Sequence, residues 1–600
     1  MKHSARELLD GYHNPEGSAG RKFMSRSFTG NPSHGENIAA LKRINAVTSA
    51  AKSLFAFTSA RFYGLFLLAF GLSTLIINLG KEYLGNYETV ALEILVVGVI
   101  SAIVGIFLVV SDKPLCIFLQ DFKVTDYLFF EFFCIRRTSR LDGGRGVPSW
   151  VGLVLGTAFA ALSAVLPFFA VVSAIAFAVY AFVSFVSPEF SLFSTILVLP
   201  YLSLLEGHEA ILAALVGVSV LSFVRKVALG KRVYHFEQYD ALLGIFLLFI
   251  LISGIFLKGI ESFTDSLVMI VLALGYVLSG SIVANRRLAD CLINALIFSS
   301  VPVSGIAIVQ AVIKLIHAPV YSFSGVSATF KSPEVLSVFL LFAFIFSLYF
   351  TNARRRKSAK IAYLIIAVYT FISLFLTLFA WAIAVALFVL VGYILKGRSL
   401  AFGVFAVSLA LIPQVFLLLP TDALLSLSRL PVVSSLSLEG FVRHLDCSRR
   451  ILGENIFTGI GIGETSFILE LENMGLSELG YINGAAFLVD TAIEAGVFSL
   501  ITLIVIFAVR VRHSVVYLPY VKNSQLTVLS KFSALSLSAA VALGAFNCLW
   551  ADKSMFFLFW CIFGVGSAVL RVSKKEYDDR IAYYSDGRSA ESSALDIEIG

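Results

Sequence analysis

Charge is what this sequence has least of. Only 14% of its 600 residues are Asp, Glu, Lys or Arg, and 58% are hydrophobic; a soluble domain carries about a quarter charged residues. A chain so poor in polar side chains cannot cover a soluble globule, which excludes that class and the several ordinary domains its length would otherwise suggest. Cysteine is scarce too. The six, Cys116, Cys134, Cys291, Cys447, Cys548 and Cys561, form no Cys-x-x-Cys pair. Neither a disulfide framework nor a metal site is expected from them, and no cofactor is expected. Also missing is an apolar run close to Met1. The first 55 residues are polar, with Gly, Ser and Asn, so no cleavable signal peptide is expected. Residues 1–58 read as a disordered cytoplasmic tail, and 572–600 as a second one.

What the chain has instead is apolar runs of membrane-crossing length, about 20 residues each. The clearest are 62–80, 90–111, 241–257, 266–284, 291–316, 335–350, 400–419, 485–507, 528–549 and 555–570. Three longer stretches read as hairpins. Stretch 150–186 carries Pro167 near its middle, 190–224 is interrupted by Glu206, Gly207 and His208, and 361–395 is assigned a break near Leu378. The expected fold is all-α: a polytopic transmembrane helix bundle of 12 to 16 spans over 59–420 and 485–571, with one large extracytoplasmic loop at 421–484. A β-barrel is excluded because the runs do not alternate in polarity.

Basic residues set the orientation. Clusters at Arg136, Arg137 and Arg140, at Arg225 and Lys226, at Arg286 and Arg287, at Arg354–Lys357, at Arg510 and Arg512, and at Arg571, Lys574 and Lys575 all fall on one side of these spans. Both termini are then cytoplasmic and the span count is even, which predicts a multi-pass protein of the cell membrane. The net charge of +7 is mostly this topological signal. Basic residues at span ends do not make a nucleic-acid surface, so membrane lipid is an expected partner and nucleic acid is not.

The 421–484 loop departs from this pattern. It is dense in charge, with Arg429, Glu439, Arg443, His444, Asp446, Arg449, Arg450, Glu454 and Glu464 among others, and it holds Thr458-Gly-Ile-Gly-Ile-Gly-Glu464. A long loop on a helix bundle is a natural place for function, and equally a solvated connection. The glycine run lacks the strand–helix context of a dinucleotide site. Gly459, Gly461 and Gly463 therefore predict a tight turn or a close approach to a ligand.

Four stretches in order carry a family resemblance. Phe457-Thr-Gly-Ile-Gly-Ile-Gly-Glu-Thr-Ser-Phe467 resembles the Gly-x-Gly-x-Gly-x-x-x-Phe element of the bacterial O-antigen ligase and Wzy-type polysaccharide polymerase family, and an Arg-containing amphipathic segment, Arg443 to Leu452, precedes it as in that family. Glu494 and Gly496 match the family's Glu-x-Gly-x-x-Gly span. Ala328-Thr-Phe-Lys-Ser-Pro-Glu-Val-Leu336 resembles Gly-Thr-Phe-x-Asn-Pro-Asn-x-Leu, and Trp550-Ala-Asp-Lys-Ser-Met-Phe-Phe-Leu-Phe-Trp560 resembles the start of the family's last span. The resemblance covers roughly residues 231–570.

The resemblance implies a glycosyltransferase of cell-envelope polysaccharide biosynthesis, whose partner is glycan carried on polyprenyl pyrophosphate in the outer leaflet. A pyrophosphate leaving group needs cationic donors, and Arg meets phosphate oxygens in bidentate fashion. Arg450 and Arg443, seven apart and on one face of a helix, become candidate catalytic residues, with Arg449 a substrate-binding candidate beside Gly459, Gly461, Gly463 and Glu494. The bland reading of the arginines is contact with lipid head groups. Departures are definite: the family's His-Asn pair is replaced by Ala485 and Ala486, and Thr377-Leu-Phe-Ala-Trp381 lacks the Arg of the family's Ser-Arg-Gly-Ala-Trp. Asp490 is the candidate replacement for the His as base, one turn before Glu494, although both carboxylates have the alternative of pairing with an arginine. Three readings follow: an active ligase or polymerase with altered chemistry, a diverged member that binds glycan lipid as a scaffold, and an unrelated transporter. Against the transporter stand the absence of an internal repeat and of charge at mid-membrane.

Overall fold

A computed structural model describes residues 26–28, 57–83, 92–133, 146–205, 207–256, 259–284, 286–317, 325–354, 356–395, 399–420, 438–463, 470, 486–517, 524–546 and 552–572. Of the expected tails, 1–58 is described only at 26–28 and 57–58, and 573–600 lies outside the described residues.

The fold is an all-α helix bundle. In chain order its helices are α1 (Ala60–Tyr83), α2 (Leu92–Val109), α3 (Leu115–Asp121), α4 (Ser149–Val165), α5 (Phe168–Val186), α6 (Pro188–Leu202), α7 (His208–Ala228), α8 (Gln238–Phe256), α9 (Gly259–Ala273), α10 (Gly275–Ile282) and α11 (Arg286–His317). There follow α12 (Pro333–Ala353), α13 (Lys357–Leu376), α14 (Ala380–Leu395), α15 (Ser399–Phe416), α16 (Leu438–Glu454), α17 (Phe487–Tyr517), α18 (Ser524–Leu543) and α19 (Lys553–Val572). Two three-residue strands, β1 (Arg26–Phe28) and β2 (Tyr234–Phe236), pair antiparallel with Ser27 opposite His235. Among the described residues nine helices are long and apolar enough to cross a membrane, and seven shorter apolar helices accompany them.

The expected hairpins all break, two of them where Pro or Gly punctuates the run. Pro167 is the N-cap of α5, where its fixed φ and missing N–H suit a helix start. Residues 203–207 separate α6 from α7, with Gly207 at φ +67°. Leu378 turns the chain between α13 and α14 with φ +55°, a left-handed conformation uncommon in a branched side chain.

The chain divides into two compact units. One comprises 30–195 and 214–230, the other 1–29, 196–213 and 231–600, so the division does not fall at the charged loop. In the first, α1 packs on α2 and α4. Gly71 permits this: a β-carbon there would stand 2.5 Å from the Gly98 carbonyl oxygen. Small residues allow such backbone approach when lipid removes the hydrophobic drive between helices. In the second unit α12 is buried along nearly its whole length, and α18 and α19 nearly as fully. A helix apolar all round belongs at a bundle's centre. Trp560 of α19 anchors it among Phe246, Phe556, Phe559 and Phe563.

Candidate functional site

The glycine segment meets α17 at a break. α17 is not continuous: Gly496 has φ 81° and ψ 166°, a conformation open in practice only to glycine. A break inside a membrane helix frees backbone groups that lipid cannot satisfy. The turn after α16 satisfies them. Ile460 N–H donates to the Ile493 carbonyl at 2.8 Å, Gly461 N–H to the Glu494 carbonyl at 3.2 Å, and Val497 N–H to the Ile456 carbonyl at 2.9 Å. Ser253 Oγ of α8 adds a second donor to Glu494 O at 2.5 Å.

Three left-handed glycines make the fit possible. Gly459, Gly461 and Gly463 have φ of 75°, 100° and 104°. A β-carbon on Gly459 would collide with the Glu494 carbonyl, and one on Gly496 with the Phe457 carbonyl. The expected close approach is thus an approach to the backbone of α17.

α16 lies against the same span. Val442 and Leu445 pack with Leu417 and Ala486, and Trp381 and Val489 close that cluster. Cys447 and Ile451 pack with Ile460 and Ile493. Trp381 in turn stacks on Phe546, with ring centres 3.7 Å apart. Residues 438–454 of the loop segment are therefore a helix seated on protein, with its apolar stripe spaced for an α-helix. Burial and the neighbouring Asp446 push the Cys447 thiol up from its ordinary range.

The predicted arginines separate by role. Arg449 Nη2 donates to the carbonyls of Leu417 at 2.6 Å and Leu419 at 2.7 Å. These lie just past the end of α15, where helix carbonyls lack partners and the dipole favours a cation. Arg450 points elsewhere: its Nη2 is 2.9 Å from Asp446 Oδ2, and 64% of its side chain is exposed. Arg443 lies on α16, but its side chain is outside the described residues, as is Ala485.

The predicted acids sit on the N-terminal part of α17. Asp490 is buried and Glu494, one turn on, is half-buried. Asp490, Lys553 and Asp265 lie near the Glu494 carboxyl.

Lys553 was not expected in the site. It opens α19 and ion-pairs with Asp265 of α9, Nζ to Oδ1 2.6 Å, and with Glu209 of α7. Asp265 Oδ2 would stand 2.5 Å from a β-carbon on Gly463, and Ser262 Oγ, one turn earlier on α9, accepts the Ile462 N–H at 2.9 Å. Each of these charges lies at the edge of an apolar run, which is the signal that marks them in the sequence.

A continuous line of contact therefore runs from Trp381 through α16 and the glycine turn to Glu494, Asp265 and Lys553. The broken span, the packed loop helix and the bundle around them define a multi-pass all-α membrane protein. Compared with known protein families the chain matches none, and no curated protein matches it.

Proposed function

We propose that this protein is an O-antigen ligase-like enzyme of cell-surface polysaccharide assembly, acting at the outer leaflet of the cell membrane on glycan carried by polyprenyl pyrophosphate. The observation that carries the reading is the seating of α16, with its arginines, on the broken span that bears Asp490 and Glu494. That arrangement packs α16, which carries Arg443, Arg449 and Arg450, on the span that carries Asp490 and Glu494. In the transfer, the bond from the anomeric carbon to the pyrophosphate oxygen breaks. An acceptor hydroxyl oxygen bonds to that carbon and gives its proton to Asp490. Polyprenyl pyrophosphate leaves with its charge met by Arg450 and Arg443. Ala328 adds support: it takes φ +48° where the resembling pattern has Gly, and its N–H is held by Gln310 Oε1 at 2.9 Å.

One observation favours a second reading, a glycan-lipid binding scaffold without transferase activity. Ala486, where the family's Asn would stand, is buried against Leu417, Val442 and Leu445, so apolar packing fills that place.

Deleting the gene and comparing surface-glycan length on a gel separates the two. Lost or shortened glycan, rescued by wild type and not by Arg450→Ala, supports the enzyme. A defect rescued equally by both proteins keeps the pathway and discards the arginine site, and unchanged glycan removes the enzyme and leaves the scaffold or a transporter.

A further inference from the structure

Building on the transferase reading, we infer that Lys553 is a positioning residue that acts through Asp265 to hold the 459–463 turn against the break in α17, at the backbone of Glu494. The turn is clasped from two sides. On the α17 side, the N–H groups of Ile460 and Gly461 go to the carbonyls of Ile493 and Glu494, and the Val497 N–H goes to the Ile456 carbonyl. On the α9 side, Ser262 and Asp265 stand three residues apart and share a face. Ser262 Oγ takes the Ile462 N–H, and Asp265 Oδ2 fills the space beside Gly463 where a β-carbon would stand.

Asp265 can hold that position only if its charge is compensated. Glu494 and Glu209 are nearby carboxylates, and like charges in a partly desolvated setting repel strongly. Lys553 supplies the compensation. Its ammonium, 12% exposed, binds Asp265 through Oδ1 at 2.6 Å and Glu209 through Oε2, leaving Asp265 Oδ2 for the glycine. Lysine suits the place because its compact charge carries three donors and can hold both carboxylates. Without it, Asp265 would swing away from its acidic neighbours and take one wall of the clasp with it.

Hydrogen exchange on the full-length protein in nanodiscs tests this. In Lys553→Gln the amides of Ile460, Gly461 and Ile462 should exchange about tenfold faster than in wild type, while α12 stays protected. Asp265→Asn should do the same with the lysine intact, and Lys553→Arg, which keeps the charge, should retain the protection. Unchanged turn protection in Lys553→Gln overturns the inference. So does protection lost in Lys553→Gln but kept in Asp265→Asn, since the route through Asp265 would then be wrong. Loss of α12 protection in both variants also overturns it, because the effect would lie on the whole fold. The glycan gel reads the functional premise separately. A freed turn, in a protein whose deletion leaves the glycan unchanged, leaves the positioning role standing and removes the transferase reading. An unchanged turn, in a protein whose deletion shortens the glycan, does the reverse.

Discussion

The place where Gly459 would carry a β-carbon is taken by the carbonyl oxygen of Glu494, the same oxygen that accepts hydrogen bonds from Gly461 N–H and Ser253 Oγ. A side chain at position 459 has no space there and no comfortable backbone conformation at φ +75°. Gly459→Ala and Gly496→Ala should each cost about 1–3 kcal/mol, seen as a lower midpoint in thermal unfolding of the detergent-solubilised protein. Gly244→Ala is the control. Nothing lies near a β-carbon at that helical position, so the change should be neutral or stabilising by up to about 1 kcal/mol.

Neighbouring arginines should respond in opposite ways. Arg449 closes two backbone carbonyls at the end of α15, and Arg449→Ala should destabilise by about 1.5–3 kcal/mol, the range for hydrogen bonds to a charged group. Arg450 is mostly exposed and pairs within its own helix, so Arg450→Ala should change stability by less than about 1 kcal/mol. Unfolding midpoints of the two variants check this directly. Equal losses would mean that Arg450 has a structural role the geometry does not show.

Cys447 carries a pH signature. Its thiol lies above the ordinary range because burial and Asp446 disfavour the thiolate. The thiol form is therefore favoured by folding, and its contribution is present at neutral pH and lost as pH rises above about 8.5 through the folded value. Alkylation of Cys447 at neutral pH should be slow in the folded protein and fast once it is unfolded, as read by mass spectrometry at graded pH. Rapid neutral labelling of the folded protein would contradict the packing of α16 on Ile460 and Ile493.

The bundle was largely legible from hydropathy, and the breaks at Pro167 and 206–208 follow from local chemistry, whereas no polar turn marks the one at Leu378. The break at Gly496 was not. One glycine in an apolar run costs only about 1 kcal/mol in a helix and usually leaves it intact. What breaks α17 is the turn at 456–461, far away in sequence, which takes up the freed N–H and carbonyl groups. Hydropathy also began two spans too late. It began one at 266 and another at 555, whereas the helices begin at Gly259 and Lys553, and Asp265 and Lys553 meet in the margin it left out. The glycine run was legible as a tight turn or close approach, but not as an approach to backbone. The different duties of Arg449 and Arg450 could not be read from adjacent letters, because they depend on where α15 ends.

The most direct test of the transfer proposal is reconstitution. Purified wild-type protein and the Arg450→Ala and Asp490→Asn variants would be placed in proteoliposomes with polyprenyl-pyrophosphate-linked glycan and an acceptor glycan, and the release of polyprenyl pyrophosphate measured. The account predicts release by wild type, with loss of general-base action in Asp490→Asn slowing it by about 10²–10⁴-fold, and strong impairment in Arg450→Ala with the fold intact. No release by the folded wild-type protein, or equal rates in all three, would contradict it.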